Sequence, residues 1–404
     1  MNHLIDNGKI DNISVMTTDG TKKLTIGGHT DTYPVYKIRL DMLYFNDKND
    51  RIATWISQYK NEQNIDSFDF SNREEYNSII HEFITESNRE AMNRTKINIE
   101  LVGQRESGVV LNDGRIIDGN RRFTCLRELS EKKPEFGYLE AVILHHNIEK
   151  DVKQIKLLEL NLQHGVDKQV DYDPIDRLVG IYNDIVENKL LTEEEYAQGI
   201  GEKSVKKDLD KAILMVEFLN FMNAPKQFHI ARDLKLDGPL QELIAVLSKA
   251  RTNQEKENLK KVAFLHLMVS PDGDMTRHIR DFKKITSSTQ LDDFIEKHEP
   301  LAKTIFDSIQ DKDIIDTKTL NEEIRSNKES KAQMKELVTS TVERIDAHKT
   351  MSSPYKNVEF AAEKLNSIDR DVIDLLSNAE KNKILNKLED IDKATKRIRD
   401  GIES

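Results

Sequence analysis

Every segment with strand-like alternation lies before residue 146, and beyond residue 165 the apolar residues recur at three- and four-residue spacing. A chain segregated in this way reads as α+β: a mixed α/β domain first, then an all-α region. Val35 to Leu40 alternates like a strand, and so does Ile97 to Val102. Val109 to Leu111 and Arg115 to Ile117 flank Asn112-Asp113-Gly114, a strong hairpin signal. Leu139 to His145 is a further strand, and helical spacing marks residues 51–60, 74–87, 121–130 and 149–163.

The 404 residues are too many for one ordinary core. We divide them into a polar tail or weak hairpin with a turn at Asp19-Gly20 (1–30), a mixed domain (31–165), a helical domain (166–290) and a C-terminal helical region (291–404). In the helical half, Pro174 opens one helix and Thr192 caps another. Further helices are expected at 203–222, 239–250, 255–269, 274–285, 291–309, 320–349 and 355–400. The last carries heptad-like seams, Leu365, Ile368, Val372 and Leu375, then Ile384, Leu388, Ile391, Thr395 and Ile398. Such a face either packs on its own domain or joins two copies in a homodimer.

A net charge of −11 means that any nucleic-acid contact must come from a local basic patch. Cys125 is the single cysteine, which excludes an intrachain disulfide and fits a reducing compartment. The N-terminus lacks the order of a signal peptide, and the apolar run Val262 to Val269 is too short to span a bilayer. A cytoplasmic protein without a membrane partner is the expectation. His145-His146 lacks further ligands at metal spacing.

The segment that carries chemistry runs from Val109 to Leu129. A strand enters a glycine turn, Asp118-Gly119, and a helix starts at once with Asn120, Arg121 and Arg122. Helix N-termini present unpaired amides and partial positive charge, and guanidinium groups add bidentate donors. The sum is an anion site suited to phosphate. Asp118 would repel phosphate unless it orients an arginine or holds a metal ion. The plainer alternative is that Asp118 caps the helix while both arginines make surface ion pairs.

This order resembles the phosphate motif of the ParB family in its DGNRR form. Tyr44 to Arg51 is similar to the segment after the first strand of that family. Leu160-Asn161-Leu162-Gln163-His164 lies where the family has its ENxQR motif, and Asp173-Pro174-Ile175-Asp176 is similar to its L-x-P-x-E. The resemblance implies a ParB/sulfiredoxin-like fold for the first domain and a nucleoside triphosphate, CTP or ATP, held by Gly119, Asn120, Arg121 and Arg122, with Arg51 and Asn161 on the same face. It also implies Mg2+. The family's metal glutamate is Leu160 here, with Glu159 one position early, and its arginine is His164. A sulfiredoxin needs a cysteine in this loop, where Asn120 stands. An enzyme, whether a nucleoside triphosphatase, a nuclease or a small-molecule phosphotransferase, would take Asp118 or Glu159 as its catalytic base. The remaining alternative is an interaction module whose loop binds nothing.

The resemblance also implies a central helix-turn-helix, for which Leu191 to Ala212 has the right flavour. Lys203, Ser204, Lys206, Lys207 and Lys211 would then face DNA phosphates rather than base edges. An ordinary helical hairpin with a solvated lysine face is the alternative. A second cluster, Arg277, His278, Arg280, Lys283 and Lys284, reads as a solvated helix face.

Overall fold

The computed structural model describes residues 4, 13–145, 151–165, 173–309, 314, 316–351 and 354–403. The chain is α+β and divides into two compact units, residues 1–338 and 339–404. His146 and the side chain of His164 lie outside the described residues.

The first unit is organised around β5 (Tyr138–Leu144), a strand apolar on both faces. Leu139, Ala141 and Ile143 enter one core, while Val142 and Leu144 enter another. A strand buried on both sides belongs in the middle of a sheet with helices on each face. The order is β1-β2-β5-β3-β4, with β1 (Val15–Ile26), β2 (His29–Arg39), β3 (Gly108–Leu111) and β4 (Ile116–Asp118). Among these five strands β3 and β5 pair in parallel and the other neighbours are antiparallel. One core joins the sheet to α2 (Arg73–Ser87), α3 (Arg89–Val102) and α4 (Asn120–Ser130) through Tyr76, Ile80, Ile99 and Phe123. Each fully buried side chain of this size contributes about 1.5–3 kcal/mol. The second core packs Leu158 and Leu162 of α5 (Val152–Gly165) against Val109, Leu111 and Ile117. α1 (Ala53–Gln63) precedes α2.

In the sheet domain two segments depart from the sequence expectation. Residues 15–26 form a full edge strand whose turn is Gly27-Gly28, while Asp19-Gly20 lies in a register shift between Thr17 and Thr21. Ile97 to Val102 is the end of helix α3, not a strand. Asn88 caps that helix by accepting from the Ala91 amide, and Met92 and Ile99 are buried two turns apart. Capping and packing override the β-preference of the isoleucines.

The helical region comprises α6 (Pro174–Ile181), α7 (Glu193–Gly199), α8 (Lys206–Phe221), α9 (Phe228–Asp233), α10 (Asp237–Leu247), α11 (Asn253–Val269), α12 (Met275–Thr286), α13 (Leu291–Glu296), α14 (Glu299–Ile309), α15 (Thr317–Leu320) and α16 (Lys328–Met351). Widened π-type turns follow α6 at Tyr182–Glu187 and α15 at Asn321–Arg325. The region grips the sheet domain through α1. Asp176 accepts from the Thr54 amide at 2.8 Å, and the Arg232 guanidinium lies 4.3 Å from the Trp55 ring centre. Burial pushes the Asp176 carboxyl up to about 7.

Three buried histidines tie α11, α12 and the turn before α14 together. His298 Nδ1 lies 2.6 Å from the Phe294 carbonyl, so it must donate there. His298 Nε2 is then an acceptor for His266 Nε2 at 2.7 Å, which leaves His266 Nδ1 to accept from His278 Nε2 at 2.8 Å. With neutral rings the three bonds run in one direction, from His278 through Nδ1 of His266 and from Nε2 of His266 to His298. Burial lowers the pKa of each, that of His278 to about 4. Among the described residues no group of His, Cys, Asp or Glu is arranged to hold a metal ion.

The second unit holds the end of α16, α17 (Pro354–Asn366), α18 (Arg370–Asp374) and α19 (Asn378–Glu403). The expected helix over 355–400 is therefore three helices. Neither α17 nor α19 buries a residue, and Val358, Leu365, Leu388, Ile391 and Ile398 are exposed. Among the described residues no helix is long and apolar enough to cross a membrane.

Candidate functional site

The turn between β3 and β4 starts the local design. Gly114 has φ +94°, and a Cβ there would collide with the Met42 carbonyl, so the hairpin closes only with glycine. Three residues beyond the returning Ile116, the chain turns again at Gly119 with φ +107° and enters α4. Gly119 has no side chain with which to cap that helix. The partial positive charge of the helix start is therefore open to a ligand.

A cavity of about 450 Å3 lies at this helix start. Gly119, Asn120, Arg121 and Arg122 line it, and Arg51 joins them from the turn before α1. Asp118 also lines it. The Arg122 Nη2 donates to Asp118 Oδ2 at 2.8 Å and its Nη1 to the Glu106 carbonyl at 2.8 Å. Lys22, from β1, reaches the same Asp118 oxygen at 3.5 Å. Of the roles open to Asp118, this geometry is that of a carboxylate orienting an arginine. Asn120 is only 8% exposed, and its Oδ1 has no hydrogen-bond partner among the described residues. A buried acceptor without a donor costs about 1–3 kcal/mol, which a ligand N–H or O–H would recover.

Several cavity residues escaped the sequence reading. Arg94 and Asn98 line it because α3 is a helix, and Arg105 lines it from the following loop. Their signal was the Asn88 cap with Met92 and Ile99 seven apart. Lys22 had no local signal, since only the β1–β2 hairpin brings it to residue 118.

Two expected residues are not brought to this cavity. Asn161 is exposed on α5 and is not part of the lining, whereas Gln163 is. Glu159 is 2% exposed and faces a separate groove of about 1190 Å3 between the sheet domain and the helices. There Lys156 bridges Asp50 at 2.8 Å and Asp184 at 3.2 Å, and Glu159 accepts from Gln163 at 3.0 Å. Burial disfavours the lysine charge, but the surrounding carboxylates outweigh it and hold Lys156 well above its ordinary value. Burial pushes Glu159 up to about 8 and Asp184 to about 7. Cys125 is buried against the Met92 carbonyl, and burial raises its thiol to about 12, so it packs rather than reacts.

The lysine-bearing segment forms a helical hairpin, α7 then α8. Thr192 and Glu195 make a reciprocal capping box at its start. Lys203, Ser204, Lys206 and Lys207 are exposed. Ser204 Oγ lies 3.2 Å from Glu193 Oε1 and accepts from the Lys206 amide at 3.1 Å. Lys206 pairs with Asp210 at 3.2 Å. Lys211 is buried and pairs with Asp208 at 3.0 Å and Asp237 at 2.6 Å.

No protein-family model matches the chain, and no curated protein matches it. Among solved structures it is similar to the C-terminally truncated chromosome-partitioning protein ParB from Caulobacter crescentus, solved in complex with CTP-gamma-S. The identity is 12%, the match covers 52% of this chain and 92% of that one, and the TM-score is 0.19, a likeness too slight to carry an argument about this chain.

Proposed function

We propose that this protein is a ParB-like nucleotide-binding switch, holding CTP or ATP in the arginine-lined cavity and coupling that occupancy to DNA or a partner through its helical region. One observation carries the reading. An uncapped helix start, guanidinium groups from several elements and a buried acceptor lacking a donor surround one volume. The helix start and the guanidinium groups are the features that polyphosphate recognition requires, the unpaired acceptor would take a hydroxyl or amino donor of the nucleoside, and the volume suits a bound small molecule. Gly119 to Arg122 would cradle phosphates, with Arg51 beside them. Asn161 would play no direct part. Enzyme chemistry is the weaker reading, because Asp118 is engaged by Arg122 and Lys22 and Glu159 faces the other groove.

On this reading, DNA phosphates meet the exposed Lys203, Lys206 and Lys207, with Ser204 holding the turn and Lys211 holding α8 in place. The homodimer forms through the exposed seam of α19, where Ile384, Leu388, Ile391, Thr395 and Ile398 keep heptad spacing. Thermal shift with CTP, ATP and GTP tests the core of the reading. Stabilisation by one nucleotide without turnover supports it, and no shift with any of them refutes it.

A further inference from the structure

The resemblance that suggests a nucleotide also suggests a magnesium ion, and the donors around this cavity do not fit one. Magnesium demands hard oxygen ligands in near-octahedral geometry, usually one or two carboxylates with phosphate and water. Asp118 and Glu106 are the carboxylates in the lining. The Asp118 Oδ2 already takes Arg122 at 2.8 Å and Lys22 at 3.5 Å. Glu106 is exposed on the loop, and its backbone carbonyl receives Arg122. At the family's metal position stands Leu160, fully buried, and the Glu159 beside it accepts from Gln163 and faces the other groove. The buried Asn120 Oδ1 is a neutral oxygen and cannot offset a divalent charge by itself.

The cations, in contrast, are abundant. Arg51, Arg94, Arg105, Arg121 and Arg122 line the cavity. Guanidinium groups stay charged at any accessible pH and grip phosphate oxygens in bidentate fashion. Several of them in one cavity supply the positive charge that a metal would supply, and they repel a metal ion that arrives without phosphate. Arg105 has no ion-pair partner among the described residues, and Arg94 has only an exposed one, Glu90 at 3.9 Å.

We propose that the cavity binds its polyphosphate without a divalent cation, the guanidinium groups and the start of α4 taking the role of the metal. This rests on the nucleotide reading above. Lys22 and Asp118 are then positioning residues that hold Arg122, and neither touches a metal.

Calorimetric titration of the full chain with CTP, ATP and inorganic tripolyphosphate, in EDTA and again in excess magnesium, tests the proposal. We expect binding in EDTA that is no weaker than in magnesium. Glu106→Gln, at an exposed position, should keep the EDTA affinity within about threefold, because Arg122 bonds its backbone carbonyl and not its carboxylate. Asp118→Asn loosens the hold on Arg122, so it should weaken binding by the same factor in EDTA and in magnesium. Binding that appears only with magnesium, that Glu106→Gln abolishes in a folded protein, or that Asp118→Asn weakens more in magnesium than in EDTA, overturns the metal-free proposal and leaves the nucleotide reading standing. No binding in either medium overturns both.

Discussion

The arginine-lined cavity and the lysine-bearing hairpin both look like anion sites in the sequence, yet they are built differently. In the cavity, cations arrive from the turn before α1, from α3, from the loop after it and from α4, and they converge on one volume. On the hairpin, Glu193, Glu194, Glu195, Glu202, Asp208 and Asp210 outnumber Lys203, Lys206, Lys207 and Lys211 over the same stretch. Lys206 and Lys211 are paired with those acids. Convergence from separate elements concentrates charge, whereas charges alternating along one hairpin largely cancel. A positive residue count is therefore a poor guide to an anion site, and the direction from which the charges come is a better one.

The strongest way to break this comparison is Arg122→Ala. The cavity should lose on the order of 2 kcal/mol of nucleotide affinity, about thirtyfold, without unfolding. A nucleotide-induced thermal shift that survives the change would move the ligand elsewhere. Lys211→Ala comes next and should act on stability rather than on DNA. Its pairs with Asp208 and Asp237 are mostly shielded from solvent, so the loss should be about 2 kcal/mol in urea unfolding, between surface and fully buried values. An unchanged midpoint would return Lys211 to the pool of lysines available to phosphate.

Glu159→Gln sharpens the contrast between the cavity and the groove behind it. The folded pKa of Glu159, about 8, lies above its ordinary value, so the fold prefers the protonated acid. Its stabilising share is therefore complete below the ordinary glutamate range and is lost as pH rises toward 8, at up to about 1.4 kcal/mol per pH unit. Glutamine cannot ionise. The variant should gain on the wild type as pH climbs through that window, and it should bind nucleotide normally. A parallel pH dependence of the two proteins would contradict the burial assigned to Glu159. The smallest effect belongs to Lys207→Ala. Stability should change by less than about 0.5 kcal/mol, while the slope of DNA affinity against salt should fall by about one phosphate contact. An unchanged slope would remove Lys207 from the DNA face.

The α+β division was legible because strand and helix periods differ and the chain segregates them. The turns at Gly114 and Gly119 and the start of α4 were legible because glycine and the hairpin signature act locally. The residues around that helix start were only partly so. Arg51 and the run from Gly119 to Arg122 lie along the cavity as expected, but Asn161 does not, since one step along α5 carries a side chain about a third of a turn from its neighbour. Arg94 and Asn98 were hidden by an alternating run that reads as a strand until the Asn88 cap and the burial of Ile99 are known. Lys22 and the histidine chain depend on contacts distant in sequence, between residues 22 and 118 and among residues 266, 278 and 298. Periodicity carries no information about such pairs.

A crystal structure of the full chain soaked or grown with CTP or ATP tests the central claim most directly. The account predicts phosphate oxygens within hydrogen-bond distance of the first-turn amides of α4 and of the Arg122 guanidinium, with Asn120 Oδ1 receiving a donor from the ligand. Nucleotide bound in the groove beside Lys156, or a cavity that stays filled only with water at saturating nucleotide, would contradict it.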